Sequence, residues 1–234
     1  MSAAPLLTSP FDPPRARTVR RAARLVAAAL RAGRTPDDAF DRFLPPELRD
    51  VSAQYWTPLP VVRQAAAWLR EIQVRTVVDI GSGAGKFCVA AALLTRCRFV
   101  GLEKRAPLVD AARELAGIFE VDDRVVFVNG DLGVTPAPAG DAYYFFNPFG
   151  EYAFYSRRFA EPGMAFTPEA HARDVAAAAA SLSRAPVGTF AITLNGFGGK
   201  VPAGYEQIDV ARRLPGTLRL WKKQEPGAGT RTNR

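Results

Sequence analysis

The sequence is short of soft ligands. Its 234 residues include one histidine, two cysteines and two methionines. A structural zinc site of Cys and His needs four such ligands, so none is expected, and no other metal cluster is indicated. Two cysteines give no disulfide framework, which points to a reducing cytoplasm. Long apolar runs are also missing. No stretch approaches the roughly 20 residues that span a bilayer, and the opening "MSAAPLLTSPFDPP" lacks the apolar core of a signal peptide. Acids are in deficit, 23 against 31 bases, for a net charge of +8. Such a balance suits an acidic or nucleic-acid partner, but it is equally a property of Arg-rich, Ala-rich composition. With 48% hydrophobic residues the chain can bury a sizeable core, which excludes wholesale disorder.

What is present is an alternation of helix and strand patterns. The first dozen residues read as loose. From Arg15 to Ala32 a helix is predicted, with Arg17, Arg20, Arg21, Arg24 and Arg31 on one face and Val19, Ala22, Val26 and Leu30 on the other. Thr35-Pro36 and Thr57-Pro58 each read as a capping threonine followed by a first-turn proline. Further on, "RTVVDI", "RFVGLE", "RVVFV", "AYYFF" and "GTFAITL" read as five strands covered on both faces. Helices over 86–95, 107–118 and 167–183 separate them. "YEQIDV" and "TLRLWKK" read as a closing antiparallel hairpin, and a frayed tail follows from residue 224. The pattern predicts an α/β chain built on a mostly parallel sheet. Residues 1–54 form a helical extension before a domain spanning 55–223.

The first strand runs into "VVDIGSGAGKF". A P-loop needs Ser or Thr after its lysine, and here Phe87 follows Lys86. The dinucleotide fingerprint needs glycine where Lys86 stands. The carboxylates suit a different ligand. Asp79, just before Gly81, Gly83 and Gly85, is placed to stay ionised and face a cation. Glu103 ends the second strand about 20 residues beyond the loop, where an acid grips a ribose. Asp131, in "VNGDL", is placed either to accept from an adenine amine or to cap the next segment. Together these carboxylates suit a ligand cationic at one end and adenosyl at the other, and S-adenosylmethionine is such a ligand.

These motifs, in this order, resemble the class I S-adenosylmethionine-dependent methyltransferases over residues 55 to 223. The resemblance implies a three-layer Rossmann-like fold, a seven-stranded sheet with a reversed last strand, and methyl transfer from S-adenosylmethionine without a metal. It implies that the three glycines line the methionine and ribose, that Glu103 with its neighbour Lys104 binds the ribose, and that Asp131 with Leu132 holds the adenine.

The fourth strand ends on Asn147-Pro148-Phe149. This is a plain turn or the acceptor site. A methyl acceptor would arrive at this end of the sheet, and an amine needs its N–H groups held so that the lone pair faces the methyl. The Asn147 carboxamide and the Pro148 carbonyl can accept those hydrogen bonds, and Phe149 can wall the acceptor. The stretch resembles the Asn-Pro-Pro-Tyr of amino-methyltransferases, with one proline fewer. Together with "YWTP" (Tyr55 to Pro58) it also resembles the non-SET lysine methyltransferases, which implies that Tyr55 and Thr57 reach the methionine end. The expected acceptor is an amine of a small molecule or protein. The alternatives are a nucleic-acid base, with the Arg-rich first helix on phosphates, and a binding module without catalysis. Otherwise that helix covers the cofactor cleft with a solvated Arg face. Residues 150–166, rich in aromatics, read as a substrate wall or lid. His171 reads as a surface or helix-packing residue and Cys88 as a buried small hydrophobe.

Overall fold

The computed structural model describes residues 13 to 146, 148 and 167 to 225. Asn147, Phe149 and the aromatic connection at 150–166 lie outside the described residues, as does the end of the tail.

The chain begins with α1 (Pro13–Arg31) and three short helices, α2 (Asp37–Asp41), α3 (Pro46–Arg49) and α4 (Ser52–Tyr55). Then come α5 (Leu59–Glu71), β1 (Thr76–Ile80), α6 (Lys86–Leu94), β2 (Arg98–Glu103), α7 (Ala106–Ile118) and β3 (Val125–Asn129). The second half holds β4 (Ala142–Phe146), α8 (Pro168–Arg184), β5 (Phe190–Leu194), β6 (Tyr205–Leu214) and β7 (Gly216–Lys223). The sheet order is β3-β2-β1-β4-β5-β7-β6. The first five positions are parallel, while β7 runs antiparallel to β5 and β6 to β7. The mostly parallel seven-stranded sheet and its reversed hairpin are those predicted.

The layers follow from strand alternation. Val77, Phe99, Ala142, Tyr144 and Ile192 face one apolar cluster, which also takes in α1 and α5 to α7. Val78, Ile80, Leu102, Tyr143 and Phe145 face a second cluster, with Ala178 and Leu182 of α8. The chain winds outward from β1 to β3 and returns to β4 beside β1. Order therefore reverses between β1 and β4, and a crevice opens at their carboxyl ends, where such sheets bind ligands.

The first helices differ from expectation. Ala22 is exposed, and the buried stripe of α1 is Ala23, Ala27 and Leu30. The shift arises because α1 packs on α6 and α7 rather than over the cleft. Neither threonine caps as predicted. Thr35 donates to the Val26 carbonyl at 3.3 Å, and Thr57 pairs with the Tyr144 hydroxyl at 3.0 Å. The N–H of Leu59 at the start of α5 is instead satisfied by the Asp37 carboxylate at 2.9 Å. Thr167 does cap α8, accepting from Ala170 at 3.1 Å.

Candidate cofactor and active site

The glycine loop hangs from β2. The N–H groups of Gly81 and Ser82 donate to the Leu102 carbonyl at 2.9 and 3.1 Å. Gly81 and Gly83 both adopt left-handed backbone, and both are touched closely. A Cβ on Gly83 would fall 2.3 Å from the Trp56 ring, and one on Gly81 2.6 Å from Pro148 Cβ. The loop thus lies between the segment before α5 and the segment after β4. Of the Asn147-Pro148-Phe149 stretch only Pro148 is described, and it lies against Gly81. Gly85 begins α6 in the same left-handed region, tight against Phe127 and Ala112.

Asp79 points from β1 toward α6 and is 3% exposed. Burial raises its pKa from 3.8 to about 7, the Cys88 hydrogen bond offsets part of the rise, and the Glu103 charge adds to it. The Cys88 thiol donates to Asp79 at 3.3 Å, so Cys88 does more than pack. Burial and the nearby carboxylate push that thiol well above its ordinary range. Against the expectation that Asp79 stays ionised, burial thus works toward its neutral form. A neighbouring cation would favour the charged form.

Glu103 is equally buried, but held. One carboxylate oxygen accepts from Gly83 N–H at 3.0 Å, and the other from the Arg105 N–H and Nε at 3.0 and 2.9 Å. A carboxylate has about four acceptor positions, so about one remains for a hydroxyl. Lys104, half-buried, stands beside it. Asp131 serves as a cap, with Oδ1 accepting from Gly133 N–H at 2.9 Å and Oδ2 lying 3.6 Å from Arg173. It also lines a small cavity with Gly81, Glu103, Lys104, Leu132 and Pro148. A second cavity touches Tyr55, Thr57, Asp79, Gly81, Phe87 and Tyr144. The two hold about 30 and 20 Å³, each the scale of one or two waters. Tyr55, Thr57, Asp79, Glu103, Lys104, Asp131 and Leu132 thus line the two cavities that share Gly81, while Gly83 lies under Trp56 and Gly85 packs against Phe127 and Ala112.

Several residues at this site escaped the sequence reading. Lys86 is only 2% exposed. Its Nζ lies 2.6 Å from Asp37 and 2.8 Å from Asp41, with Ser52 Oγ at 3.3 Å. The lysine that fails as a phosphate ligand ties α2 and α4 to the start of α6. A single charge opening the apolar "KFCVAAALL" was the available signal, because such a charge must find partners. Trp56 covers Gly83 and donates to the Leu48 carbonyl at 2.9 Å. Tyr144 stacks on Phe87 with centroids 3.6 Å apart. Asp174, buried on α8, pairs with Arg173 at 2.8 Å and lines the Glu103 cavity. The Ser82 hydroxyl is buried without a hydrogen-bond partner among the described residues. His171 is half-buried on α8, beside Gly198. Among the described residues no group of His, Cys, Asp and Glu could hold a metal ion. No described helix is long and apolar enough to cross a membrane.

Comparison of the sequence with protein-family models and with curated proteins gives no match. Solved structures do match. One is an RNA methyltransferase from Salinibacter ruber in complex with S-adenosylhomocysteine, 20% identical, covering 74% of this chain and 97% of that one at a TM-score of 0.53. Another is an O-methyltransferase from Bacillus cereus, also with S-adenosylhomocysteine, 13% identical over 93% of this chain and 94% of that one, at 0.50. A third is TrmN from Thermus thermophilus, 18% identical over 76% of this chain and 53% of that one, also at 0.50. The fold of this chain is the Rossmann-like fold of the class I S-adenosylmethionine-dependent methyltransferases.

Proposed function

We propose that this chain is a methyltransferase that binds S-adenosylmethionine at the glycine loop and methylates an amine nitrogen held at the end of β4. The observation that carries the reading is the convergence at Gly81. The cavities that share Gly81 take in the buried Asp79 and Glu103, and Pro148, just after β4, lies against Gly81.

The residues fit the ligand. A cation is what would return Asp79 to its charged form, and the sulfonium or α-ammonium supplies one. Glu103 keeps an acceptor position for a ribose hydroxyl. Lys104 stands beside that ribose, and Asp131 and Leu132 line the same cavity for the base. Tyr55 and Thr57 lie with Asp79 on the methionine side. Loading requires Trp56 and Pro148 to withdraw from the glycines they now touch. When bound, S-adenosylmethionine supplies an electrophilic methyl group. The chain's own part is to orient the acceptor and exclude water. Asn147 accepts from the acceptor's N–H groups, the Pro148 carbonyl assists, and Phe149 walls the site. Nothing in this requires a metal.

A second reading keeps the donor and changes the acceptor. The similar structures include an RNA methyltransferase and an O-methyltransferase, and Arg17, Arg20 and Arg21 are exposed on α1. A nucleic-acid base or a hydroxyl then replaces the amine. A compartment without strong oxidants suits the two buried free thiols, and we place the protein in the cytoplasm. We treat residues 1–54 as an extension of the catalytic domain and the residues after 224 as a tail.

Calorimetry with S-adenosylhomocysteine tests the donor. Binding should be lost in Gly83→Arg, and no binding to the unaltered chain would end the reading. Transfer from labelled S-adenosylmethionine to amine, protein and RNA pools tests the acceptor. Asn147→Ala should stop transfer and spare cofactor affinity, whereas unchanged turnover would leave Asn147 a turn residue.

A further inference from the structure

A basin much larger than the two small cavities at the glycine loop lies elsewhere in the described structure. It lies at the opposite end of the sheet, where α5 and α6 finish and β1 and β2 begin, and holds about 780 Å³. Ligand pockets for small molecules run about 300 to 1,000 Å³. Arg31, Arg70, Arg75, Arg96 and Arg98 line it, and no carboxylate does among the lining residues. Its apolar floor is Leu69, Val74, Leu93 and Leu94. α6 separates basin and glycine loop by nine residues, about 14 Å at 1.5 Å per residue.

The arginines fall into two sets. Arg31 donates Nε to the Leu93 carbonyl at 3.1 Å, and Arg70 donates Nη1 to Leu94 at 2.9 Å. These bonds satisfy the last carbonyls of α6 and fix both guanidiniums, each of which keeps further N–H donors. Arg75, Arg96 and Arg98 are exposed and hold no side-chain hydrogen bond or ion pair among the described residues. The nearby acid Asp141 accepts from the main-chain N–H groups of Arg75 and Thr76 with one oxygen, Oδ2, at 2.9 and 2.8 Å. Helix capping thus accounts for two arginines and leaves three exposed ones lining the same basin as the apolar floor. Their repulsion is relieved by a bound anion, and paired N–H forks match phosphate oxygens.

We propose that this basin binds a small organic polyphosphate, its phosphates on Arg75, Arg96 and Arg98 and its apolar or aromatic body on the leucine floor. A long nucleic-acid track fits less well. The Arg stripe of α1 is interrupted before the basin, since Arg24 is paired with Glu120 at 2.8 Å.

The test is calorimetry on the full chain with S-adenosylhomocysteine present in excess, using ATP, tripolyphosphate and adenosine as probes. ATP should bind once per chain, more tightly than tripolyphosphate, and weaken with added salt, while adenosine should not bind. Arg96→Glu with Arg98→Glu should weaken ATP at least about 100-fold, roughly tenfold for each 1.4 kcal/mol of lost contact. Arg75→Gln is the milder second variant, and circular dichroism should show both folded. Gly83→Arg should leave ATP binding intact, which separates this site from the cofactor site. The proposal is overturned if ATP does not bind, if the charge reversals leave its affinity unchanged, if Gly83→Arg abolishes it, or if an RNA oligonucleotide binds the basin more tightly than ATP.

Discussion

The two ends of α6 meet opposite electrostatic conditions. Its amino end carries the positive end of the helix dipole, and two carboxylates, Asp37 and Asp41, gather there. They arrive with Lys86 between them, buried and fully paired. Its carboxyl end carries the negative end, and guanidiniums gather there: Arg31, Arg70 and Arg124 all donate to carbonyls between Ala92 and Thr95. Both ends obey the dipole, but their burial differs. At the amino end Lys86 and Asp41 are sealed and must be matched, while Asp37 is partly exposed. At the basin the charges stand in water, where a pair is worth little. The same kind of substitution should therefore be costly at one end and almost silent at the other.

The largest effect is expected at Lys86. Lys86→Met leaves Asp41 buried without its cation and should cost about 3 to 5 kcal/mol in urea unfolding. Adding Asp41→Leu should recover part of that loss, and a cost below about 1 kcal/mol would show that water reaches the pair. Asp79 comes next. Its folded pKa is raised to about 7 from 3.8, so the folded chain holds a proton that the unfolded chain releases. The contribution is fully present below pH 3.8 and is lost as pH rises through about 7. About three units correspond to about 4 kcal/mol at most, and solvent relaxation will reduce it. Asp79→Asn should flatten this slope. S-adenosylmethionine should bind the unaltered chain more tightly at pH 8 than at pH 6, because its cation selects the ionised carboxylate.

A smaller effect is expected at Glu103. Glu103→Gln retains the volume but gives up charge-assisted bonds from Gly83 and Arg105, and should weaken S-adenosylhomocysteine about 10- to 100-fold, 1.4 to 2.8 kcal/mol. The smallest is at the basin. Arg96→Glu should change unfolding stability by no more than about 0.5 kcal/mol. A loss as large as that at Lys86 would break the contrast and show that the basin arginines are structural.

Much of the fold was legible because it depends on local pattern. Five strands read as apolar runs, the helices between them as periodic faces, and the hairpin as two strands about a turn; periods of 2.0 and 3.6 leave a trace in any sequence. The errors fell where a distant partner decided. Thr35 and Thr57 have the right neighbours for caps, but Asp37 is available in space and takes over the start of α5. Ala22 and Ala23 are indistinguishable in composition, and only the seat of α1 on α6 and α7 selects Ala23. The aromatics of β4 read correctly as buried, while the pairing of Tyr144 with Phe87 and Thr57 joins residues far apart in the chain.

The sequence by itself determined the sheet, the glycine loop and the carboxylates at the strand ends, since spacing along the chain sets which residues reach the same edge. Tertiary structure alone decided their electrical state. Burial, not position, moves Asp79 toward neutrality, fills most of the hydrogen-bonding capacity of Glu103, and turns Lys86 from a solvent-facing charge into the tie between α2, α4 and the loop. It also decided the basin. Arg31, Arg70, Arg75, Arg96 and Arg98 are scattered through the first hundred residues, and only the packing of α1, α5 and α6 at the entry of β1 and β2 brings their charges together.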